Sequence, residues 1–493
     1  MNKTKKLYES LVTFVFFIYL AGVLSFGRAF LILHLKIGPI PIFITEFFLL
    51  FAIPMVVFKK KKIFELPNKF LIVLSIYFLM GVSYLSFGVL TGNLFSLRDI
   101  VLCGYVLFLP IAFIVFSKND NVTNFLYIYI GCNIVCILAG RICIFNSNFF
   151  PFLNNYSANS RMFNFGLYYG IAASFFMCLL PIVKERVRKF FLSFILTINL
   201  YMIFLSGERA AWIGLIILTM FFLFRFGLNF FRLLGRLLPF FCIVFPLLWY
   251  FDFIAVSPTG HIKEVRAKVK NTNIIVQRIL HIPQKESLIL NQQVSLNFES
   301  SPIPLVNFPN KNQKTLSLKN MNDLRDRDQA AIDNIAWRLK LWQQSIKFGL
   351  PSLIFGRGFG IYPDYRVWHY EHQAESSARL IRGIGINSNI VPPHNHLVTI
   401  FYKMGLLGLS LFLFINIYVL LFAFFRLDPY PKNLMQSLLS GFLGAFIYWH
   451  VLAFFFNVID SPSTNIFLWV IIGTIFAVIL GEKTEKLPNA ENG

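Results

Sequence analysis

Charge is what this chain has least of. Only 14% of its 493 residues are Asp, Glu, Lys or Arg, and the acidic residues number 23 against 45 basic ones. Soluble domains give about a quarter of their residues to charge, so that class is excluded. Cysteine is scarce as well. Cys103, Cys132, Cys136, Cys143, Cys178 and Cys242 all fall in apolar stretches, so neither a disulfide framework nor a thiolate metal site is expected. A nucleotide-binding loop is also missing. FGRGFG, Phe355 to Gly360, has the glycines but neither a preceding strand nor an acidic ribose partner, which leaves a tight turn with close backbone approach. No convincing DxD-like carboxylate motif occurs: Asp323, Asp326 and Asp328 are interleaved with arginines, so metal dependence is not implied.

What the chain does have is apolar surface: 57% hydrophobic residues, 60 Phe and a mean hydropathy of +0.65. About 20 apolar residues at about 1.5 Å each cross the hydrocarbon of a bilayer. Stretches of that kind lie near 10–33, 40–58, 69–90, 98–117, 122–144, 164–183, 189–206, 209–225, 237–256, 395–425, 434–456 and 464–481. The expectation is an all-α polytopic membrane protein with about 12 transmembrane helices. The first stretch follows MNKTKK but is too long for a signal peptide and lacks a small-residue cleavage pattern, so it reads as a retained helix.

Basic side chains resist translocation, so loop charge sets orientation. MNKTKK, Lys59–Lys62, KERVRK at 184–189, Arg225, Arg232, Arg236 and Arg426, and the tail with Lys483 and Lys486 all belong to one set of alternate loops, which predicts both termini in the cytoplasm. The opposite set includes one long segment from Ser257 to Pro393. Three parts follow: spans 1–9 in 1–256, an external loop domain in 257–393, and spans 10–12 with a short tail in 394–493. That external loop has eight more basic than acidic residues, against the usual bias, which suggests an anionic partner there or a basic surface near anionic lipid headgroups. Within it, Ile332, Ile335, Leu339, Trp342 and Ile346 recur at helical spacing and predict an amphipathic helix near the bilayer, ended by Gly349 and Pro351.

Several ionisable residues occupy costly places at the external surface. Arg209, in SGERAAWIGL, interrupts two apolar runs, and either pairs with Glu208 in a hairpin turn or serves function. Arg338 sits at the margin of the apolar helix face, where it snorkels or meets a charge. With Arg161, Arg357 and Lys403 these could line one anion-binding cleft, since guanidinium forks suit phosphate oxygens. In PPHNHLVTIFYKMGLLG the prolines stop a helix from starting earlier, placing His394 in its first turn beside Asn395. Residues two apart do not share a helix face, so His394 and His396 are not a chelating pair; one acts while the other packs or caps. A helix N-terminus disfavours imidazolium and keeps the ring neutral, as a proton acceptor requires. That combination suits glycosyl transfer from a diphosphate.

His394, Asn395, Leu397, Gly405 and Gly408, the AWRLKLWQQSI…LIFGRGFG block, SGERAAWIG, LRD at 97–99, and Asp460-Ser461-Pro462 with Trp469 together resemble the O-antigen ligase and polymerase superfamily. The resemblance implies a metal-independent, inverting glycosyltransferase of the GT-C type, without cofactor or nucleic-acid partner, in the bacterial inner membrane with its large loop periplasmic. The implied donor is a glycan on undecaprenyl diphosphate. The acceptor is lipid A-core in ligases, as in lipopolysaccharide biosynthesis, or another lipid-linked glycan in polymerases. It implies His394 as the base, and Arg209, Arg338 and Arg161 as diphosphate ligands, with Asn395, His396, Lys403 and Arg357 in support. Lys403 departs from ligase-like motifs, which often have Glu there, and is closer to some polymerases, whereas the single large loop favours a ligase. A lipid-linked sugar transporter is the rival class, but transporters place ionisable residues at the midplane.

Overall fold

The computed structural model describes residues 2–31, 33–37, 40–145, 166–206, 208–255, 338–339, 341–361, 393–428, 431, 433–456, 458–459 and 461–485. Its long helices are α1 (Asn2–Phe26), α2 (Ile44–Phe58), α3 (Asn68–Leu90), α4 (Phe108–Phe116), α5 (Asn119–Phe145), α6 (Gly166–Leu179), α7 (Arg186–Ser206), α8 (Arg209–Phe226), α9 (Leu228–Ala255), α10 (His396–Phe424), α11 (Leu434–Phe455) and α12 (Pro462–Glu485). Among the described residues nine helical segments are long and apolar enough to cross a membrane, and Ile44–Phe58, Gly166–Leu179 and Leu237–Leu248 are shorter apolar helices. The chain is therefore an all-α polytopic membrane protein; among the described residues the strands form one hairpin, β1 (His34–Ile37) paired antiparallel with β2 (Ile40–Phe43), and β2 occupies the start of the expected second span. Helices dominate because lipid offers no partner for backbone N–H and C=O groups, so each segment must satisfy its own.

Two compact units form. One comprises Met1–Leu248 with Lys340–Gly493, the other Trp249–Leu339. Of the expected loop domain 257–393, the described residues 341–361 fall in the first unit and 338–339 in the second.

Helices in lipid associate by close packing, and small residues permit it. A Cβ on Gly473 of α12 would stand 2.4 Å from the Leu109 carbonyl of α4, and one on Gly170 of α6 would stand 1.9 Å from the Tyr448 ring of α11. Ser174 of α6 donates to the Gly441 carbonyl of α11 at 2.7 Å.

Regularity fails at two places, both near one end of this unit. The expected fourth span begins as 3-10 turns, Leu94–Leu102 and Gly104–Leu107, before α4. Asn465 donates to the Val101 carbonyl at 2.6 Å and Tyr77 to the Leu102 carbonyl at 3.2 Å, so neighbouring side chains serve acceptors that an α-helix would serve itself. The second failure is in α10, where Gly405 has φ 66 and ψ −166. A straight helix would put His396 and Phe412 about 24 Å apart along its axis. Their ring centroids are 5.9 Å apart, so the two limbs of α10, 396–404 and 406–424, meet at a sharp bend. The second limb alone, at about 1.5 Å per residue, is nearly long enough to cross the hydrocarbon.

Candidate active site

The bend exposes backbone groups, and the glycine cluster closes it. Lys403 O accepts from Gly358 N at 2.9 Å, Tyr402 O from Arg357 N at 2.9 Å, and past the bend Leu406 N and Leu407 N donate to Leu353 O and Ile354 O at 2.8 and 3.0 Å. Contact this close needs glycine on both sides: a Cβ on Gly356 (φ +74) would stand 2.4 Å from Gly405 N, and one on Gly405 would stand 2.2 Å from Ile354 O. The FGRGFG segment is thus a backbone plug for a broken helix.

The same joint accounts for two of the expected site cations. Lys403 makes a salt bridge with Asp99, each 2% exposed, and Asp99 Oδ2 also accepts from Gly360 N at 2.8 Å. The Lys403 charge is already compensated at the joint, which differs from its expected place in an anion cleft. Arg357 donates from Nε to the Phe348 carbonyl at 2.5 Å and from its backbone to α10, so it too braces the joint.

At the start of the first limb, the histidines divide their roles. α10 begins at His396 with Asn395 as its cap, whose Oδ1 accepts from Leu397 N at 2.9 Å and Val398 N at 3.1 Å. His394 therefore stands outside the helix rather than in its first turn, and it adopts φ 54. A non-glycine residue there is strained by about 1–3 kcal/mol. Both neighbours are pinned: Asn395 by its cap bonds, and Pro393 by its carbonyl, which accepts from Trp342 Nε1 at 2.7 Å. His396 packs. It is 4% exposed, with ring centroids 6.0 Å from Trp449 and 5.6 Å from His450 of α11. His450 Nε2 in turn meets Asn416 Oδ1 of the second limb at 3.1 Å.

Arg209 is the first residue of α8 and is exposed. Its neighbour Glu208 accepts from the backbone N–H of Gly166, the first residue of α6, at 3.0 Å. Tyr448 of α11 donates to Gly166 O at 2.9 Å and lies 3.5 Å from Ala211 O. Consecutive residues of α11 therefore touch both elements: Tyr448 reaches the first turn of the helix that Arg209 begins, while Trp449 and His450 pack on the limb that follows His394.

Of the loop helix, residues 338–339 and 341–349 are described. Leu341, Ser345 and Gly349 are its buried positions, whereas Leu339 and Ile346, expected on the packed apolar face, are 55% and 42% exposed. In lipid the small or polar side of a helix can face protein while the apolar stripe faces acyl chains. Trp342 reaches Pro393 as above and packs on Phe454 of α11 at 5.8 Å between centroids. Arg338 lies in the second compact unit and is half-buried, and burial draws its pKa below the ordinary arginine value. Arg161 lies outside the described residues.

Sequence reasoning missed the partner of Lys403, the break at Gly405 and the support from Tyr448, Trp449 and His450. LRD contains Asp99, and two glycines in an apolar helix hint at a break, but no spacing rule links positions 99, 360 and 403. Among the described residues no group of three His, Cys, Asp or Glu could hold a metal ion. Residues 191–413 match the family model described as O-antigen ligase, a stretch that runs from α7 through the loop into the second limb of α10. No curated protein matches the chain.

Proposed function

Residues 191–413 make the chain a member of the O-antigen ligase/polymerase superfamily, and on that premise we propose that it is an O-antigen ligase. In this reading it transfers a glycan from undecaprenyl diphosphate to a sugar of lipid A-core on the periplasmic side of the inner membrane, inverting the anomeric centre without a metal. The acceptor hydroxyl bonds to the anomeric carbon opposite the diphosphate. The anomeric C–O bond breaks, undecaprenyl diphosphate leaves with the electron pair, and His394 takes the hydroxyl proton. Arg209, Arg338 and Arg161 hold the diphosphate as its charge develops.

The observation that carries the reading is the backbone of His394, held left-handed between two pinned neighbours. Strain of this kind persists where the surroundings over-determine it, and it clusters at functional sites. A purely structural histidine is already present next to it, in His396. The polymerase alternative draws on Lys403, which the structure pairs with Asp99, and the ligase reading draws on the single large loop between the ninth and tenth spans.

The test is to incubate purified protein with lipid-linked oligosaccharide, with and without rough lipopolysaccharide, and to size the products. A ligase gives glycan joined to core only when the lipopolysaccharide is present. A polymerase lengthens the lipid-linked glycan without it, and absence of both products removes the reading.

A further inference from the structure

The end of the bundle opposite the candidate site holds a second buried cation, and nothing in the reaction uses it. Arg225, in the last turn of α8, is 8% exposed. Its Nε donates weakly to Ser440 Oγ of α11 at 3.4 Å, and its Nη2 is buried without a hydrogen-bond partner. One turn before Ser440 on the same face, Ser437 is fully buried and its Oγ is also without a partner. Buried unsatisfied polar groups are few in native proteins, and two on adjoining helices at one spot need an explanation.

The surroundings say what would satisfy them. Ser437 and Ser440 lie in the first two turns of α11, capped by Asn433, whose side chain accepts from Gln436 N at 2.8 Å. A helix N-terminus favours negative charge, and a guanidinium with a spare N–H favours an oxyanion that can accept two bonds. The exposed carboxylate of Asp428 acts on Arg225 only at a distance. Asp428 donates its backbone N–H to Gln436 Oε1 at 3.4 Å.

We propose that Arg225, Ser437 and the N-terminus of α11 form a binding site for a phosphate group, supplied by an anionic phospholipid of the leaflet on that side. The basic loops at 59–62 and 184–189 belong to the same end, which would be the cytoplasmic one by the loop-charge rule. Anionic headgroups concentrate there, and basic pockets between membrane helices are suited to them. The inference does not depend on the transferase reading.

Delipidated full-length protein in neutral detergent provides the test, by thermal melting followed through tryptophan fluorescence. Phosphatidylglycerol is expected to raise the melting temperature of the wild type by several degrees, and diacylglycerol to leave it unchanged. Arg225→Met should abolish the rise and Ser437→Val should weaken the lipid's apparent affinity several-fold. The valine variant keeps the test open if the arginine variant does not fold. A rise given by millimolar inorganic phosphate would support the same oxyanion site with a soluble source. An equal rise with diacylglycerol, or an undiminished one in both variants, would overturn the proposal. Asp428→Asn should preserve or enlarge the response; if it instead lowers ligand-free melting as far as Arg225→Met does, Asp428 is the partner and the site is not one for phosphate.

Discussion

The two ends of the helical bundle are made by the same helices and built on different terms. At the end carrying Lys59–Lys62, ion pairs sit at the surface: Glu9 of α1 lies between Lys59 at 2.5 Å and Lys118 at 3.5 Å, and Lys62 meets Glu65 at 2.7 Å, all on partly exposed side chains. At the other end α10 breaks at Gly405, 3-10 turns replace an α-helix at 94–107, His394 is left-handed and the Lys403–Asp99 pair is sealed from solvent. Irregular backbone at membrane depth survives only where protein satisfies its polar groups. Each departure here has such a partner, from a loop, a side chain or a cap. The contrast separates the ends by how charge and backbone are held: the broken helix and the sealed Lys403–Asp99 pair gather where the candidate chemistry is, whereas the other end keeps regular helices with surface ion pairs around the buried Arg225.

Breaking the working end should have the larger effects. His394→Ala is expected to lower turnover by about 10²–10⁴-fold, the range for removing a general base, with unchanged membrane insertion and melting. Wild-type turnover in the purified assay would remove His394 from the chemistry. Asp99→Asn comes next. It strands the Lys403 ammonium in a dry joint, a change that costs about 3–5 kcal/mol when a buried pair loses one partner. The double variant Asp99→Asn with Lys403→Met should recover most of that stability, since it removes the charge along with its partner; a double variant as unstable as the single one would show that the carboxylate matters for the Gly360 contact instead. Arg209→Ala should weaken donor use about 10–100-fold through KM, as expected for loss of one charge-assisted contact of about 1.5–3 kcal/mol. Arg209→Lys should restore only part of it, because an ammonium lacks the planar fork.

The sequence shows the membrane class and most helices openly, because an apolar run long enough to span is a local property. It also singles out PPHNH, where prolines and a cap residue delimit the helix start within two residues. The joint is hidden for a physical reason. Asp99, Gly360 and Lys403 are far apart in the chain, and a lysine in an apolar run looks the same whether it seeks an external anion or an internal carboxylate. The loop helix misleads in a second way: in water an apolar stripe faces the core, whereas beside lipid Leu341, Ser345 and Gly349 are the buried side and Ile346 stays exposed. Arg225 shows the converse, since the loop-charge rule reads it as a cytoplasmic anchor and says nothing of its burial.

The smallest effect should come from the anchoring end, and it sharpens the contrast. Glu9→Gln removes one carboxylate from between two lysines. Lys59 is 40% exposed and Lys118 67%, so water takes up either ammonium once the carboxylate is gone. Exposed pairs of this kind contribute about 0–1 kcal/mol, less as salt screens them. Melting should therefore shift by no more than a few degrees, and the shift should shrink further in 0.5 M salt, while Asp99→Asn keeps its full penalty there because its pair is shielded from ions. Transferase activity should be unchanged. If Glu9→Gln instead lowered melting as far as Asp99→Asn, or cut activity, charge at the two ends would be coupled through the bundle, and the division between the two ends would fail.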